Sequence, residues 1–570
     1  MKIYVLKTNN KKIYYKRKGG EIRKEIEYIN QEGGGEKKWK TLEHNGVIFA
    51  EEYKKHNIPV EYKGEEIILD KESEEYATMY AKYIESEYIK NKMFNKNFWK
   101  DWREKLGKKH KIQDLENCNF KKIYEYLIKE KERKKEMTKE EKERKKEEKE
   151  KKEEKYKYAI VDGKKEPVGN YRIEPPGIFI GRGCHPKIGR VKKRIYPEDI
   201  TINIGKESEI PKLPEEYKNR KWGLIVNDKK AEWLAAWKEP ITKKIKYVRF
   251  ASHSKFKTES DIKKFDLARK LKKKAGQIRK EIDQDLKDKE KSKRQLATAL
   301  YMIDNYALRV GNERGEEAAD TVGVTILRVE HIKFLEKNKI MLDFLGKDSI
   351  RYKNTHTVSD EIYNNLKEFT ENKEKKEQLF DKIDSNMINR YLQNFMKGLT
   401  AKVFRTYKAS NLLQKELNKI EKEKKEKEED DDKIKRLLQE FNKANTKVAL
   451  LCNHQKKVSK TFNEQVEKID EKIKEYKKKI QKLKRKKKSN TNIKERIEKI
   501  KKKISELKAK KSLKIETRKV SLETSKANYI DPRIIMSYIK RNNIPIEKIY
   551  SKTLQEKFKW ATSIDKEWRF

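Results

Sequence analysis

Cysteine is scarce in this chain: only Cys118, Cys184 and Cys452 occur in 570 residues, far apart and without a CxxC pair. That excludes a disulfide framework and argues against a zinc site, as in a chain kept in a reducing compartment. No apolar run approaches membrane-spanning length, and the opening MKIYVLKTNN lacks a signal-peptide pattern, so a soluble intracellular protein is expected. No GxxxxGK[ST] loop is present, which removes the usual signal for nucleotide hydrolysis. No His/Cys/carboxylate spacing marks a bound metal. The run Asp430-Asp431-Asp432 lies inside a Lys/Glu tract and reads as solvated surface rather than a magnesium site. Apolar residues make up 35% of the chain, enough for cores in parts of it only.

What abounds is charge. Asp, Glu, Lys and Arg make up 42% of the residues, and 147 Lys+Arg stand against 95 Asp+Glu, a formal +52. Such an excess predicts a polyanionic partner whose phosphates replace released counterions. Lysine far exceeds arginine, so a lysine-rich background contributes to this charge without accounting for ordered motifs.

The chain divides by composition. Residues 1–35 are basic, end in Gly33-Gly34-Gly35 and read as a poorly ordered arm. Aromatics from Tyr80 to Trp102 predict helices on an aromatic core, and residues 129–155, almost wholly Lys, Arg and Glu, predict a solvated helix. From Tyr156 to Tyr247 the Pro, Gly and runs such as WGLIV and KYVRF predict strands and loops. From Ile262 to Leu451 the pattern is mainly helical, interrupted by a hairpin at Ile340 to Tyr352. Phe462, Val466, Ile469, Ile473, Tyr476, Ile480 and Leu483 alternate at four and three. After Ser489-Asn490-Thr491-Asn492 the spacing resumes at Ile493, Ile497, Ile500, Ile504 and Leu507. Two heptad helices joined by a short polar turn predict an antiparallel coiled-coil hairpin, its first helix about 40 Å long.

An enzyme acting on phosphodiesters without metal or ATP must supply cations and a nucleophile from side chains. Arg309 in ALRVGNE, Lys347 in FLGKDSIRY, Arg405 in LTAKVFRTYKAS, His454 in LLCNHQKK and Tyr529 in SKANYIDPR fit those needs. Taken singly each has an ordinary explanation: a surface ion pair, a solvated lysine, a core tyrosine.

Together the motifs resemble those of eukaryotic type IB topoisomerases. The resemblance runs from Trp39 to Phe570 through WKTLEHNGVIFA, NFWKDWR, IEPPGIFIGRGCHPKIGR, KRIYPEDI, ADTVGVTILRVEHI, DFLGKDSIRY, GLTAKVFRTY, LCNHQ, SKANYIDPRI and IPIEKIYSKTLQEKFKWA. It implies a helix-rich α+β multidomain fold: a two-lobed DNA clamp with a tyrosine-recombinase-like catalytic domain. In this scheme 1–35 is the arm, 36–253 the DNA-clamping cap and 254–456 the catalytic core. Residues 457–518 form the coiled-coil linker and 519–570 a small helical domain carrying the nucleophile.

The resemblance also implies the chemistry. Tyr529 attacks one DNA strand, leaving a 3′-phosphotyrosine and a 5′-hydroxyl. Arg309, Arg405 and His454 hold the phosphate and Lys347 protonates the leaving oxygen, with no ATP, cofactor or metal. A free tyrosine has a pKa of about 10, so neighbouring cations are needed to favour its phenolate character. Arg182, Trp233, Lys246, Tyr247, Lys264, Asn312, Thr321, Thr400 and Lys402 are implied to lie near duplex DNA. Arg182, Asp348 and Asn528 match the site of camptothecin-type inhibitors. A monomeric nuclear enzyme that relaxes positive and negative supercoils is expected. Departures are the short arm, Ile180 for a usual arginine, Lys408 for a usual asparagine, and a charged insertion near 419–433. A site-specific tyrosine recombinase shares the nucleophile and cationic pocket, but the long hairpin between His454 and Tyr529 favours the topoisomerase. An architectural DNA binder accounts for the charge and not for the five motifs.

Overall fold

A computed structural model describes strands within the first 23 residues, then residues 37–181, 183, 185–311, 320–422, 430–456, 458, 461–485 and 491–570. The chain is a helix-rich α+β protein that separates into two compact units. One comprises Met1–Thr258 with Gly315–Ala319, the other Glu259–Arg314 with Asp320–Phe570.

The first unit opens with β1 (Ile3–Thr8), β2 (Lys11–Lys18) and β3 (Glu21–Arg23), paired antiparallel. The sequence reading of this stretch was an unstructured arm; the IYVL and KIYY runs have the β-branched and aromatic content that favours pairing. Next come β4 (Leu42–His44), β5 (Val60–Tyr62), β6 (Glu65–Ile67), α1 (Lys71–Ala81), α2 (Lys92–Leu106), β7 (Cys118–Asn119) and α3 (Lys121–Glu136). Asp70 caps α1 and Asn91 caps α2 by accepting from the first backbone N–H groups, and Gly107 (φ 80°) ends α2. Their inner faces meet in an aromatic core, where Tyr80 stacks on Phe98 with centroids 4.3 Å apart and Phe98 on Trp102 at 5.7 Å. The lysine- and glutamate-rich stretch is two helices rather than one. α3 stops before Met137, and Thr138 with Glu141 forms a capping box that starts α4 (Lys139–Glu153).

The rest of this unit is built on β8 (Tyr158–Val161), β9 (Lys164–Gly169), β10 (Gly177–Ile178), β11 (Val191–Lys192), β12 (Ile200–Asn203), β13 (Leu224–Val226), β14 (Trp233–Lys238) and β15 (Ile245–Phe250). Seven strands form one sheet in the order β13-β12-β14-β15-β9-β8-β4. In β14, residues Trp233 to Trp237 are buried on both faces, as befits a central strand read as the apolar run WLAAW.

The second unit holds most of α5 (Lys255–Asp285), then α6 (Lys291–Tyr306) and the antiparallel sheet β16 (Ile332–Leu335), β17 (Lys339–Gly346) and β18 (Ile350–Thr357). It continues with α7 (Asp360–Thr370), α8 (Ser385–Phe395), α9 (Ala401–Lys422) and α10 (Asp430–Leu451). α11 (Phe462–Arg485), α12 (Thr491–Glu516), α13 (Leu522–Asn528), α14 (Pro532–Asn542) and α15 (Lys552–Lys557) complete it. One hydrophobic core runs from Phe265 on α5 through Leu300, Phe344, Phe404 and Phe441 to Ile535 and Phe558. α11 and α12 stand on a separate seam of Ile469, Ile473 and Ile504, flanked by Tyr476, Ile480, Ile500 and Leu507. Asp470 pairs with Lys511 and Gln465 with Lys514, so the two helices run in opposite directions. Thr491 already belongs to α12; the rest of the polar turn before it, and the insertion from 423 to 429, lie outside the described residues. Among the described residues no helix is long and apolar enough to cross a membrane.

Candidate active site

The site begins where α6 ends. Ala307 takes the left-handed conformation (φ 49°, ψ 35°) and turns the chain into Leu308-Arg309-Val310-Gly311. That segment lies against 322–325: Val324 N donates to Arg309 O at 2.8 Å and Thr325 N to Val310 O at 2.7 Å. Gly311 has φ +94°, and a Cβ on Gly323 would stand 2.4 Å from Gly311 N, so the crossing requires glycine. Val322 N donates to Leu345 O at 2.8 Å, tying this clamp to β17. Lys347 is exposed at the tip of the β17–β18 hairpin, in a single 3₁₀ turn.

Arg405 comes from the buried face of α9 and is 4% exposed. Its Nη1 donates to Ala307 O at 2.6 Å and its Nη2 to Cys452 O at 2.8 Å. Two carbonyls from separate elements therefore fix the guanidinium plane, while its buried Nε has no partner among the described residues. His454 follows α10 and is 5% exposed. Its backbone N–H bonds Ala449 O, and its carbonyl accepts from Ser521 N at 2.7 Å. On the ring, Nδ1 sits 2.7 Å from Ser525 Oγ and the buried Nε2 has no partner among the described residues. Burial, then the charges of Arg405 and Arg309, push the imidazole pKa down to about 3, so the ring is neutral near pH 7. Burial and the charge of Arg405 also lower the pKa of Arg309, opposed by Tyr529.

Tyr529 closes α13 and is 7% exposed. Its N–H returns to Ser525 O at 3.0 Å. Ser410 Oγ on α9 donates to Tyr529 O at 3.2 Å and accepts from Asp531 N at 2.9 Å. Asp531 caps α14 with Pro532 at its first position, and Arg533 is paired with the same carboxylate. The phenol ring lies 4.9 Å from the His454 ring and 5.0 Å from the Arg405 guanidinium carbon.

Arg309, Lys347, Arg405 and His454 line one cavity of about 100 Å³ together with Asn453, Gln455 and Thr524. It is smaller than the roughly 300–1,000 Å³ of ordinary ligand pockets and suits one phosphate group on a larger substrate. A cavity of about 500 Å³ in the first unit is larger, but its Arg194, Lys192 and Lys193 are committed to Glu75, Glu174 and Glu104, and it borders no activated nucleophile.

The remaining sequence-predicted residues are distributed more widely. Thr400 and exposed Lys402 lie at the start of α9, and half-buried Thr321 precedes the Gly323 crossing. Lys264 on α5 pairs with Asp261 at 2.7 Å, and its pKa is lowered by burial and by neighbouring Lys557 and Lys402. Trp233, Lys246 and Tyr247 belong to the first unit. Trp233 is 2% exposed and packs 6.0 Å from the Tyr247 ring, so it supports Tyr247 rather than offering a free face. Lys246 lies 3.4 Å from Glu174. Asn528 is exposed, its amide donating to Thr524 O at 3.2 Å. Arg182, Asn312 and the side chain of Asp348 lie outside the described residues. Lys408 pairs with buried Asp304 at 3.1 Å, beside Arg279, which gives that departure a place in the α5–α6–α9 packing.

Sequence reasoning passed over Ser525 and Ser410. Ser525 had a signal, since it stands one helical turn before Tyr529; Ser410 had none.

Known proteins resemble this chain along most of its length. Residues 253–488 match the family described as eukaryotic DNA topoisomerase I, catalytic core, and residues 37–250 its DNA binding fragment. Residues 501–570 match a C-terminal topoisomerase domain. The chain is 44% identical to DNA topoisomerase 1 beta of Arabidopsis thaliana over 94% of its own length and 60% of that protein's. It is 43% identical to DNA topoisomerase 1 of Caenorhabditis elegans, covering 94% of this chain and 68% of the relative. With DNA topoisomerase 1 of Homo sapiens the identity is 40%, over 94% and 72%. The chain thus spans about 60% of the plant relative and belongs to the eukaryotic DNA topoisomerase I (type IB) family.

Proposed function

We propose that this chain relaxes positive and negative DNA supercoils by cutting and resealing one strand, with Tyr529 as nucleophile. One observation carries the reading. Two arginines, a neutral histidine and a lysine line a phosphate-sized cavity, the Tyr529 ring lies against Arg405 and His454 of that lining, and the buried Arg405 Nε and His454 Nε2 have no partner among the described residues. Buried polar groups are normally satisfied, so unpaired donors are suited to a substrate that brings its own acceptors.

The phenol gives its proton to solvent as its oxygen attacks phosphorus in line; the P–O5′ bond breaks, and a 3′-phosphotyrosine forms. Arg309, which lines the cavity, stabilises charge on the nonbridging oxygens. Arg405 is held by its two Nη carbonyl bonds and presents Nε–H. His454 Nδ1 lies 2.7 Å from Ser525 Oγ; with that hydroxyl as the donor the ring hydrogen sits on Nε2, where the neutral ring can donate to phosphate. Lys347, on the hairpin tip, protonates the departing 5′-oxygen. The phosphotyrosine retains the bond's free energy, so resealing is the reverse step and needs no ATP.

Lys246, Tyr247, Lys264, Asn312, Thr321, Thr400 and Lys402, with Arg182, serve duplex DNA binding, while buried Trp233 backs Tyr247 from the core. Residues 36–253 serve as the DNA-clamping cap, 254–456 as the catalytic core, 457–518 as the linker and 519–570 as the small domain that carries Tyr529. α11 and α12 are the antiparallel coiled-coil linker, whose exposed lysines slow DNA rotation. Arg182, Asp348 and Asn528 hold camptothecin-type inhibitors, and the enzyme works as a nuclear monomer. The test is a supercoiled plasmid incubated with the protein, EDTA and no nucleotide. Relaxation with a covalent link to the 3′ DNA end is expected; dependence on ATP or metal, or a 5′ link, overturns the reading.

A further inference from the structure

The helix that ends at the nucleophile has only seven residues, Leu522–Asn528. A helix this short is unstable alone, and its last carbonyls have no partner within it. Tertiary bonds must therefore set where Tyr529 stands. Ser525 O is taken by Tyr529 N and Ile530 N. Ala527 O, two residues before the nucleophile, accepts from Lys557 Nζ at 2.8 Å. The adjacent residue returns the contact: Lys526 Nζ donates to Ile549 O at 2.7 Å, in the segment that leads to α15. Both ammonium groups are largely withdrawn from water, with side-chain exposures of 8% for Lys526 and 16% for Lys557. Each has a carboxylate nearby, Glu523 at 2.7 Å and Asp261 at 3.6 Å respectively. Asp261 also takes Lys264 from one turn along α5. A cation at the C-terminal end of a helix is favourably placed against its dipole.

We propose that Lys557 and Lys526 are a reciprocal pair of positioning residues that fix the C-terminal turn of α13 and thereby hold the Tyr529 oxygen in line. This rests on the assignment of Tyr529 as nucleophile. Neither lysine touches the reacting atoms. Lys557 acts through the Ala527 carbonyl, and Asp261 links that contact to α5, so placement of the phenol depends on α5, α13 and α15 together. A displacement of about 1 Å in a reacting group costs on the order of a hundredfold in rate, which makes such a staple kinetically visible.

The test uses the full chain and a suicide DNA substrate that traps the cleaved state in one turnover. Lys557→Met keeps the volume and removes the donor. Its cleavage and religation rate constants are expected to fall together by about tenfold to a hundredfold, with DNA affinity and its salt slope unchanged. Lys526→Met is expected to act in the same direction and serves if the first variant does not fold. Lys557→Arg, which can still donate to Ala527 O, is expected to recover most of the rate. A 5′-phosphorothiolate substrate, whose sulfur needs little protonation on leaving, is expected not to rescue Lys557→Met, since nucleophile placement does not depend on the leaving group. A loss confined to the fraction of active enzyme would mean damage to folding and would overturn the proposal. A salt slope reduced by about one, with the bound-state rate intact, would make Lys557 a phosphate ligand and also overturn it. Tyr529→Phe runs alongside: a covalent adduct in that variant would sink the nucleophile assignment itself, whatever the lysine variants do.

Discussion

The pocket around Tyr529 and the helix pair α11–α12 use positive charge in opposite ways. In the pocket, Arg405 is buried and tied to the carbonyls of Ala307 and Cys452, and Arg309 lies against the phenol. Along α11, Lys472, Lys474, Lys477, Lys478 and Lys482 are exposed, and the helix buries little beyond its isoleucine seam. A buried guanidinium must have partners, because desolvation without them is costly, and those partners fix its direction. An exposed lysine needs none, so it supplies field without geometry. The first arrangement suits a transition state with directional demands; the second suits a polyanion that has to slide or turn past it. The mixed case is Lys435 on α10, which pairs with Glu506 of α12 at 2.6 Å while both remain partly exposed.

The largest expected effect separates the two uses of charge completely. Tyr529→Phe keeps the ring and every cation, so duplex binding by gel shift is expected to persist while no covalent adduct forms after denaturant trapping. An adduct in the variant contradicts the assignment. Lys347→Ala is expected to slow cleavage of ordinary DNA by about 10²–10⁴-fold. A bridging 5′-sulfur substrate should be nearly insensitive to it, and equal defects on both substrates would place Lys347 outside leaving-group protonation. Arg405→Lys preserves the charge but not two carbonyl bonds plus a free donor. A loss of about 10²–10³-fold in the cleavage rate constant is expected, with affinity little changed. If charge alone suffices in the pocket as it does on the helix pair, that variant will cleave normally.

Two smaller effects sharpen the contrast. The folded His454 imidazole is held at a pKa of about 3, below its ordinary value, so between that value and about 6.5 the unfolded chain binds a proton that the folded chain refuses. This contribution to stability is present above about pH 6.5 and is lost as pH falls through that window. Thermal melts of the DNA-free protein are expected to show a steeper acid-side decline for wild type than for His454→Asn; parallel curves would contradict the buried neutral ring. Replacing the distal part of α11–α12 with a short loop is expected to change the cleavage rate less than about twofold, since their seam is separate from the main core. Salt dependence of binding should weaken and single-molecule rotation should speed up. A slowed cleavage step would show that the Lys435–Glu506 contact carries more than charge.

Much of this was readable in the residues. The 3-4 spacing from Phe462 to Leu507 identified the inner faces of α11 and α12, because helical periodicity is a local property. DFLGKDSIRY was legible as a hairpin, and it is β17–β18 with Lys347 at the turn. Other stretches differ for local reasons: the capping box of Thr138 with Glu141 splits the expected charged helix in two, and Ile3–Thr8, Lys11–Lys18 and Glu21–Arg23 pair as strands.

The sequence by itself determined the inventory of this protein: the excess of cations, the five candidate residues in their motifs, the element types around most of them, and the family. Only the tertiary structure decided the relations. That Arg405 donates to Ala307 and Cys452 through its two Nη atoms, that Ser525 meets the His454 ring, that Ser410 grips the backbone on either side of Ile530, and that Lys526 and Lys557 tie α13 to the segment around α15 are contacts between residues 23 to 121 positions apart. Periodicity and motif spacing describe what a residue's own element does, and carry no information on which distant carbonyl or hydroxyl will meet its side chain once the core has closed.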